Sequence, residues 1–93
     1  MRIDLALKYL CILKSRSSAK HLCHDNAILV NDLPVKPSAG VRNGDKITIR
    51  FPGRTVSIRL LDIPTKQLSR SLALTYIERL DTGESYDHEE LSE

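Results

Sequence analysis

The chain has no tryptophan, one phenylalanine and three tyrosines in 93 residues. That scarcity removes the platform of aromatic side chains on which single-strand binders stack successive bases. No run of about 18 apolar residues occurs, so no segment reads as a membrane-spanning helix. Glycine is equally sparse, with four residues, and none belongs to a glycine-rich loop able to cradle a nucleotide phosphate. No Ser-His-Asp or Cys-His set stands in a recognisable context, which leaves catalysis without candidate residues. Two cysteines, Cys11 and Cys23, fall within helical apolar patterns, and no charged, apolar and cleavable leader precedes them. Reduced thiols and a cytoplasmic location are therefore expected. The length admits one domain at most and excludes an extended cleft between domains.

What is abundant is positive charge, unevenly placed. Residues 1–80 hold all 14 Lys and Arg against six acids, a balance of +8, whereas residues 81–93 hold six acids and no base, a balance of −6. The near-neutral total thus conceals a basic body and an acidic ending, and a basic body suits a polyanionic partner. The ending has too few apolar residues to fold alone and is expected to be a flexible tail.

Apolar spacing organises the rest. Ile3, Ala6, Leu7 and Leu10 recur at three and four, predicting a helix over residues 3–13, with Asp4 and Lys8 four apart outside the stripe. Ser15 can cap a second helix over residues 16–25, whose inner stripe is Ala19, Leu22 and Cys23 and whose outer face carries Arg16, Lys20 and His24. Asn26 accepts the left-handed conformation that closes many helices. Residues 28–30 read as a short strand, Asn31-Asp32-Leu33-Pro34 as a turn, residues 35–41 as an irregular connection, and Asn43-Gly44 as a turn with positive backbone angles. Ile47, Ile49 and Phe51, then Val56, Ile58 and Leu60 after Pro52-Gly53, alternate with polar residues as an antiparallel hairpin with one buried face does. A final helix is expected over residues 67–80, with Ala73, Tyr76, Ile77 and Leu80 on one side. The fold class is α+β: an amino-terminal two-helix hairpin on a small, mostly antiparallel sheet, closed by a carboxy-terminal helix. Residues 1–80 form the domain.

Arg2-x-Asp4, Lys14-x-Arg16-x-x-Ala19-Lys20, Ile28-x-Val30-Asn31, Val35-Lys36-Pro37-Ser38 and Gly44-Asp45 together resemble the RNA-binding domain named after small-subunit ribosomal protein S-four. The likeness covers residues 1–51 without a gap. The following hairpin and Ala73-x-x-Tyr76 resemble the compact single-domain members, the heat-shock-protein-fifteen type and the RqcP type. The short acidic ending favours the RqcP type over the long basic tail of the other. This resemblance implies binding to ribosomal RNA and transfer RNA on a large ribosomal subunit that still carries a nascent chain. In the RqcP type it also implies support of the alanine tailing that marks stalled chains for degradation. Leu5, Cys11 and Ser15 depart from the group, standing where it often has Lys or Arg, and Asn26 and Asp32 stand where it usually has glycine.

A-form RNA hides its base edges in a deep, narrow groove, so a small module reads it by shape through phosphates and ribose hydroxyls. The candidate RNA-binding residues are Arg2, Lys14, Arg16 and Lys20, clustered where the start of helix one approaches helix two, with Lys36 at the margin. Arg16 leads, because a guanidinium fork can hold a phosphate bidentately and the family motif matches there. Two readings stand for Arg2, a phosphate contact or a structural partner of a nearby acid. Asp4 reads as an orienting partner or a helix-start charge. Lys8, Arg42 and Arg79 read as solvated charges. The hairpin's outer row of Lys46, Arg50, Arg54 and Arg59 is either a second phosphate contact or protection of the sheet against aggregation.

Cys11, His21, Cys23 and His24 carry zinc donor atoms, but their spacing fits no usual ligand pair, so neither metal nor cofactor is expected. Leu5, Tyr9 and Ile12 form a second apolar set on helix one, packed under the last helix or exposed to a protein partner. The expected function is non-catalytic: an RNA-binding factor of the large ribosomal subunit, acting in rescue or quality control of stalled nascent chains, monomeric off the ribosome and away from membranes. The competing reading is a protein-interaction adaptor that uses the helix-one apolar set and the acidic ending.

Overall fold

The computed structural model describes residues 1–80. Helix α1 spans Ile3–Tyr9 and α2 spans Arg16–His24. Strands β1 (Ile28–Val30), β2 (Leu33–Pro34), β3 (Lys46–Phe51) and β4 (Arg54–Leu60) follow, then α3 (Arg70–Ala73), a 3₁₀ turn (Leu74–Tyr76) and β5 (Ile77–Arg79). The five strands form one antiparallel sheet in the order β2-β1-β3-β4-β5. The expected α+β arrangement is present.

Both amino-terminal helices end in the same way. Beyond α1, Cys11 adopts φ 62°, its N–H donates to the Lys8 carbonyl at 3.0 Å, and the Ile12 N–H donates to Leu7 at 3.0 Å. Beyond α2, Asn26 adopts φ 59°, with Asn26 donating to Cys23 at 3.0 Å and Ala27 to Leu22 at 2.8 Å. These paired backward bonds around a left-handed residue satisfy the last carbonyls and stop the helix. The expected helix over residues 3–13 is thereby corrected: it ends at Tyr9, and Cys11 lies in the stop rather than in the helix. At the start of α2, the Ser15 hydroxyl accepts the Ser18 N–H at 3.1 Å, a cap whose loss typically costs about 1 kcal/mol.

The carboxy-terminal helix is also shorter than the expected residues 67–80. Ser69 caps it, its hydroxyl accepting the Leu72 N–H at 3.2 Å. Gln67 and Leu68 lie outside it because they bind the end of α1: the Leu68 N–H and the Gln67 amide donate to the Tyr9 carbonyl at 3.1 and 3.3 Å. After Tyr76 the chain turns extended. Leu60 pairs with Ile77 and Arg59 with Glu78, so the edge of β4 gains a partner strand that helical spacing alone does not foresee. Ala73 is buried, and Tyr76 and Ile77 pack against the core.

The core lies between the helices and one sheet face. Ile3, Ala6, Leu7 and Leu10 from α1 meet Ala19 and Cys23 from α2 and the inward residues Ile28, Ile47, Ile49, Val56, Ile58 and Leu60. Asn31 and Asp32, at φ 53° and 71°, form a two-residue hairpin turn rather than the four-residue turn expected, which releases Leu33 and Pro34 into β2. Asn31 also ties that turn to β3, donating from Nδ2 to Asp45 at 3.2 Å and accepting the Lys46 N–H at 3.0 Å.

Candidate nucleic-acid interface

The first turn of α1 has no side-chain cap. Its free N–H groups go instead to the connection between β2 and β3: Ile3 donates to Ala39 at 2.8 Å and Asp4 to Pro37 at 3.2 Å. An isolated bridge between Arg2 and Gly40 reinforces the join. Local backbone chemistry therefore brings residues 36–38 against the start of α1, and Ala19 and Cys23 pack α2 into the same core as α1.

Three segments distant in sequence thus meet. Arg2, Arg16, Lys20 and Lys36 line one open recess of about 410 Å³, together with Asp4, Ser17, Pro37 and Ser38. Among the described residues, four cations against a single carboxylate leave a net charge of +3 in the lining. Such an accumulation on one concave surface attracts an anion from solution.

Asp4 organises the recess. It is 3% exposed. Arg2 grips it in a two-pronged pair, Nε to Oδ1 at 3.1 Å and Nη2 to Oδ2 at 3.0 Å, while the Leu5 N–H donates to Oδ1 at 2.7 Å. Arg16 adds a longer bond from Nη2 to Oδ2 at 3.5 Å. Burial alone raises the carboxyl's pKa, but the Arg2 hydrogen bond, the Leu5 N–H and the charges of Arg2 and Arg16 prevail and hold it below its usual value. The side chains of Arg2 and Arg16 remain 48% and 49% exposed. Both readings of Arg2 are therefore compatible with its position: it pairs with the acid and still borders the recess.

The structure brings the expected residues Arg2, Arg16 and Lys20 together in one lining. Lys36, expected at the margin, stands within the lining and shares a second, adjoining recess with Lys20. Lys14 is exposed and does not line the recess. Ser17, Pro37 and Ser38 line the recess without having been expected there, although Pro37 and Ser38 belong to the Val35-Lys36-Pro37-Ser38 motif. The hairpin's outer row is largely engaged within the chain. Lys46 pairs with Asp32 at 3.1 Å, Arg59 donates to the Gly44 carbonyl at 2.9 Å, and the Arg54 guanidinium lies 4.7 Å from the centre of the Phe51 ring. Those contacts favour a structural role for the row. The Cys23 thiol is pushed up in pKa by burial and, secondarily, by the Asp4 charge, which disfavours the thiolate that a metal requires.

No family model matches the chain. It is 32% identical over 87 residues to the RQC P-site tRNA stabilizing factor of Listeria monocytogenes, an alignment covering 91% of this chain and 95% of that protein. The factor of the same name from Bacillus subtilis is 29% identical over 90% of this chain and 100% of its own length. The chain belongs to this family of RQC P-site tRNA stabilizing factors, the RqcP family. The fold is shared more widely: Vibrio cholerae Heat Shock Protein 15, whose solved structure is described as trimeric, superposes with a TM-score of 0.80 over 99% of this chain and 91% of that one, at 24% identity.

Of the five departures from the family pattern, four have a structural explanation and Leu5 has none. Asn26 and Asp32 both adopt the left-handed geometry that glycine would supply. Ser15 is the cap of α2, and the Cys11 thiol donates to the Leu68 carbonyl at 3.2 Å. Much of the motif set is scaffold as well, since Asn31 and Asp45 join two strands rather than face the recess.

Proposed function

We propose that this RqcP-family chain is a non-catalytic RNA-binding factor that grips structured RNA of the large ribosomal subunit together with a transfer RNA, in quality control of stalled nascent chains. One observation carries the RNA-binding reading: Arg2, Arg16, Lys20 and Lys36 converge from three segments on one recess around a single buried carboxylate. The relatives' name, P-site tRNA stabilizing factor, supports the ribosomal setting and the transfer RNA.

The recess acts by position. Asp4 anchors one edge of Arg2 and touches Arg16 only weakly, so it orients the guanidinium groups without neutralising the surface. A phosphate entering the recess meets donors already placed, which lowers the ordering entropy it must overcome. Arg16 offers a planar fork to one phosphate, and the ammonium groups of Lys20 and Lys36 flank it. RNA held in this way is recognised by the spacing of its backbone rather than by its base edges.

The adaptor alternative has lost much of the surface it invoked. Ile12 packs on the core, Leu5 and Tyr9 are half-buried, and the Tyr9 carbonyl is occupied by Gln67 and Leu68. The acidic ending lies outside the described residues.

The test is co-sedimentation with large subunits that carry peptidyl-tRNA, comparing the chain with Arg16→Ala/Lys20→Ala at rising salt. Binding should weaken steeply with salt, and the double variant should show both lower affinity and a shallower salt slope. Equal retention of both proteins across the salt series would refute the proposal. Cross-linking in cells followed by sequencing of the attached RNA should give a footprint on both large-subunit RNA and transfer RNA.

A further inference from the structure

A second recess of about 330 Å³ continues the first, sharing Lys20, Lys36 and Pro37 with it. The two form one groove along the exposed face of α2. From Arg16 to His24 that face advances about 12 Å at the usual rise per residue. The groove changes chemistry along the way. The first recess is bordered by cations around Asp4, whereas among the described residues no Asp or Glu lines the second.

Beyond the residues shared with the first, the second recess presents Pro34 and Val35 as an apolar wall, with Cys23 beside them, and His24 and Asn26 as a polar rim. Phosphate binding has no use for that wall. A nucleoside does: its ring and sugar need an apolar contact, and its edge needs donors and acceptors. The Asn26 amide supplies both donor and acceptor, and the His24 imidazole adds a ring nitrogen and a flat face.

The walls are also fixed. Asn26 is held at φ 59° by the stop of α2, with its N–H bonded to Cys23 at 3.0 Å. Pro34 pairs with Leu29 in the sheet, and the Val35 N–H donates to Ile28 at 3.3 Å. The recess is therefore a preformed feature of the joint between α2 and β2.

We infer that the second recess receives one unpaired nucleotide of the bound RNA, with its phosphate between Lys20 and Lys36, its base or sugar against Pro34 and Val35, and its polar edge read by His24 and Asn26. This inference rests on the RNA-binding proposal and adds the structural class of its target: a folded RNA with an extruded nucleotide beside a paired segment. Paired RNA bound in the first recess would contribute backbone contacts alone.

The experiment compares two RNA hairpins identical except for one unpaired nucleotide in the stem, using fluorescence anisotropy on the full chain and three variants. Asn26→Gly removes the amide while keeping the left-handed backbone, and His24→Ala removes the imidazole from an exposed position. The wild type should prefer the bulged hairpin by about tenfold, within the range that contacts to one base supply. Asn26→Gly and His24→Ala should each erode that preference while leaving affinity for the fully paired hairpin unchanged. Arg16→Ala should weaken both hairpins by a similar factor. Equal affinity of the wild type for both hairpins overturns the inference and leaves RNA binding intact, as does a preference that survives both rim variants. Failure to bind either hairpin overturns the inference and the RNA-binding proposal together.

Discussion

Asp4 and Arg2 form a two-pronged ion pair, 3.1 and 3.0 Å long, whose carboxylate is buried and whose guanidinium is half in solvent. The asymmetry matters. A buried acid is costly without its partners, while a half-exposed guanidinium stays available to a second anion. The Asp4→Asn variant should keep the shape and lose the charge, destabilising the fold by about 1–2 kcal/mol, toward the lower end because Arg2 is screened by solvent. Although it makes the recess more positive, RNA affinity should fall, since Arg2 and Arg16 lose the group that orients them. Urea unfolding and an RNA titration read the two effects separately. Unchanged or higher affinity would show that Asp4 neutralises rather than orients.

The same carboxylate makes stability depend on acid. Its pKa in the folded chain lies below the ordinary 3.8, so the unfolded chain takes up the proton first as pH falls. The stabilisation from Asp4 is therefore complete above about pH 4–5 and is lost as pH drops through the folded-state value. Urea midpoints between pH 7 and pH 2 should decline more steeply at the acid end for the wild type than for Asp4→Asn. Parallel curves would remove Asp4 from the acid response.

Arg16 and Lys14 match one motif, and the structure separates them. Arg16 borders the recess and Lys14 does not. Arg16→Ala should weaken RNA binding by about tenfold and lower the magnitude of the salt slope by roughly one, at little cost in stability because its bond to Asp4 is long, its own side chain is half in solvent and Arg2 still pairs with the carboxylate. Lys14→Ala should alter affinity by less than about twofold, since a lone surface charge away from the contact acts only at long range. Equal losses in the two variants would move the interface toward the connection between α1 and α2.

Most of the fold was legible where one local signal decided the outcome. Ser15 announced the start of α2 and Asn26 its end, and the strict alternation around Pro52-Gly53 announced β3 and β4. The errors came where a tertiary partner outweighed local spacing. Cys11 is neither Gly nor Asn, so nothing in its chemistry advertises a left-handed stop; the bond from its thiol to Leu68, 57 residues away, is part of what holds it there. Residues 77–79 continue a helical apolar spacing, yet the open edge of β4 draws them into the sheet. The site was half-legible for a related reason. Arg16 and Lys20 share a helix face by simple periodicity, but Lys36 reaches the recess only because the carbonyls of Pro37 and Ala39 cap α1.

The left-handed stop at Cys11 yields a stability prediction. Glycine adopts φ 62° without strain, so Cys11→Gly should be nearly neutral, the relief of backbone strain offsetting the lost thiol contact. A β-branched residue there is a genuine outlier, and Cys11→Val should destabilise by about 2 kcal/mol. Thermal unfolding of the pair resolves the difference, and similar midpoints would contradict the assigned backbone geometry.

Residues 81–93 bring six negative charges and no positive one, which makes their removal a test between the two classes of partner. If the chain binds RNA through its basic groove, deleting them removes charge that repels the same polyanion, and affinity should hold or rise slightly, more so at low salt, where screening is weakest. If the chain is instead an adaptor that presents an acidic segment to a basic protein, the same deletion removes the contact and binding should collapse. Co-sedimentation of the full and shortened chains with large subunits, at low and moderate salt, separates the cases by the sign of the change. A loss that persists at both salts would place the partner's contact on the acidic segment and set the groove aside.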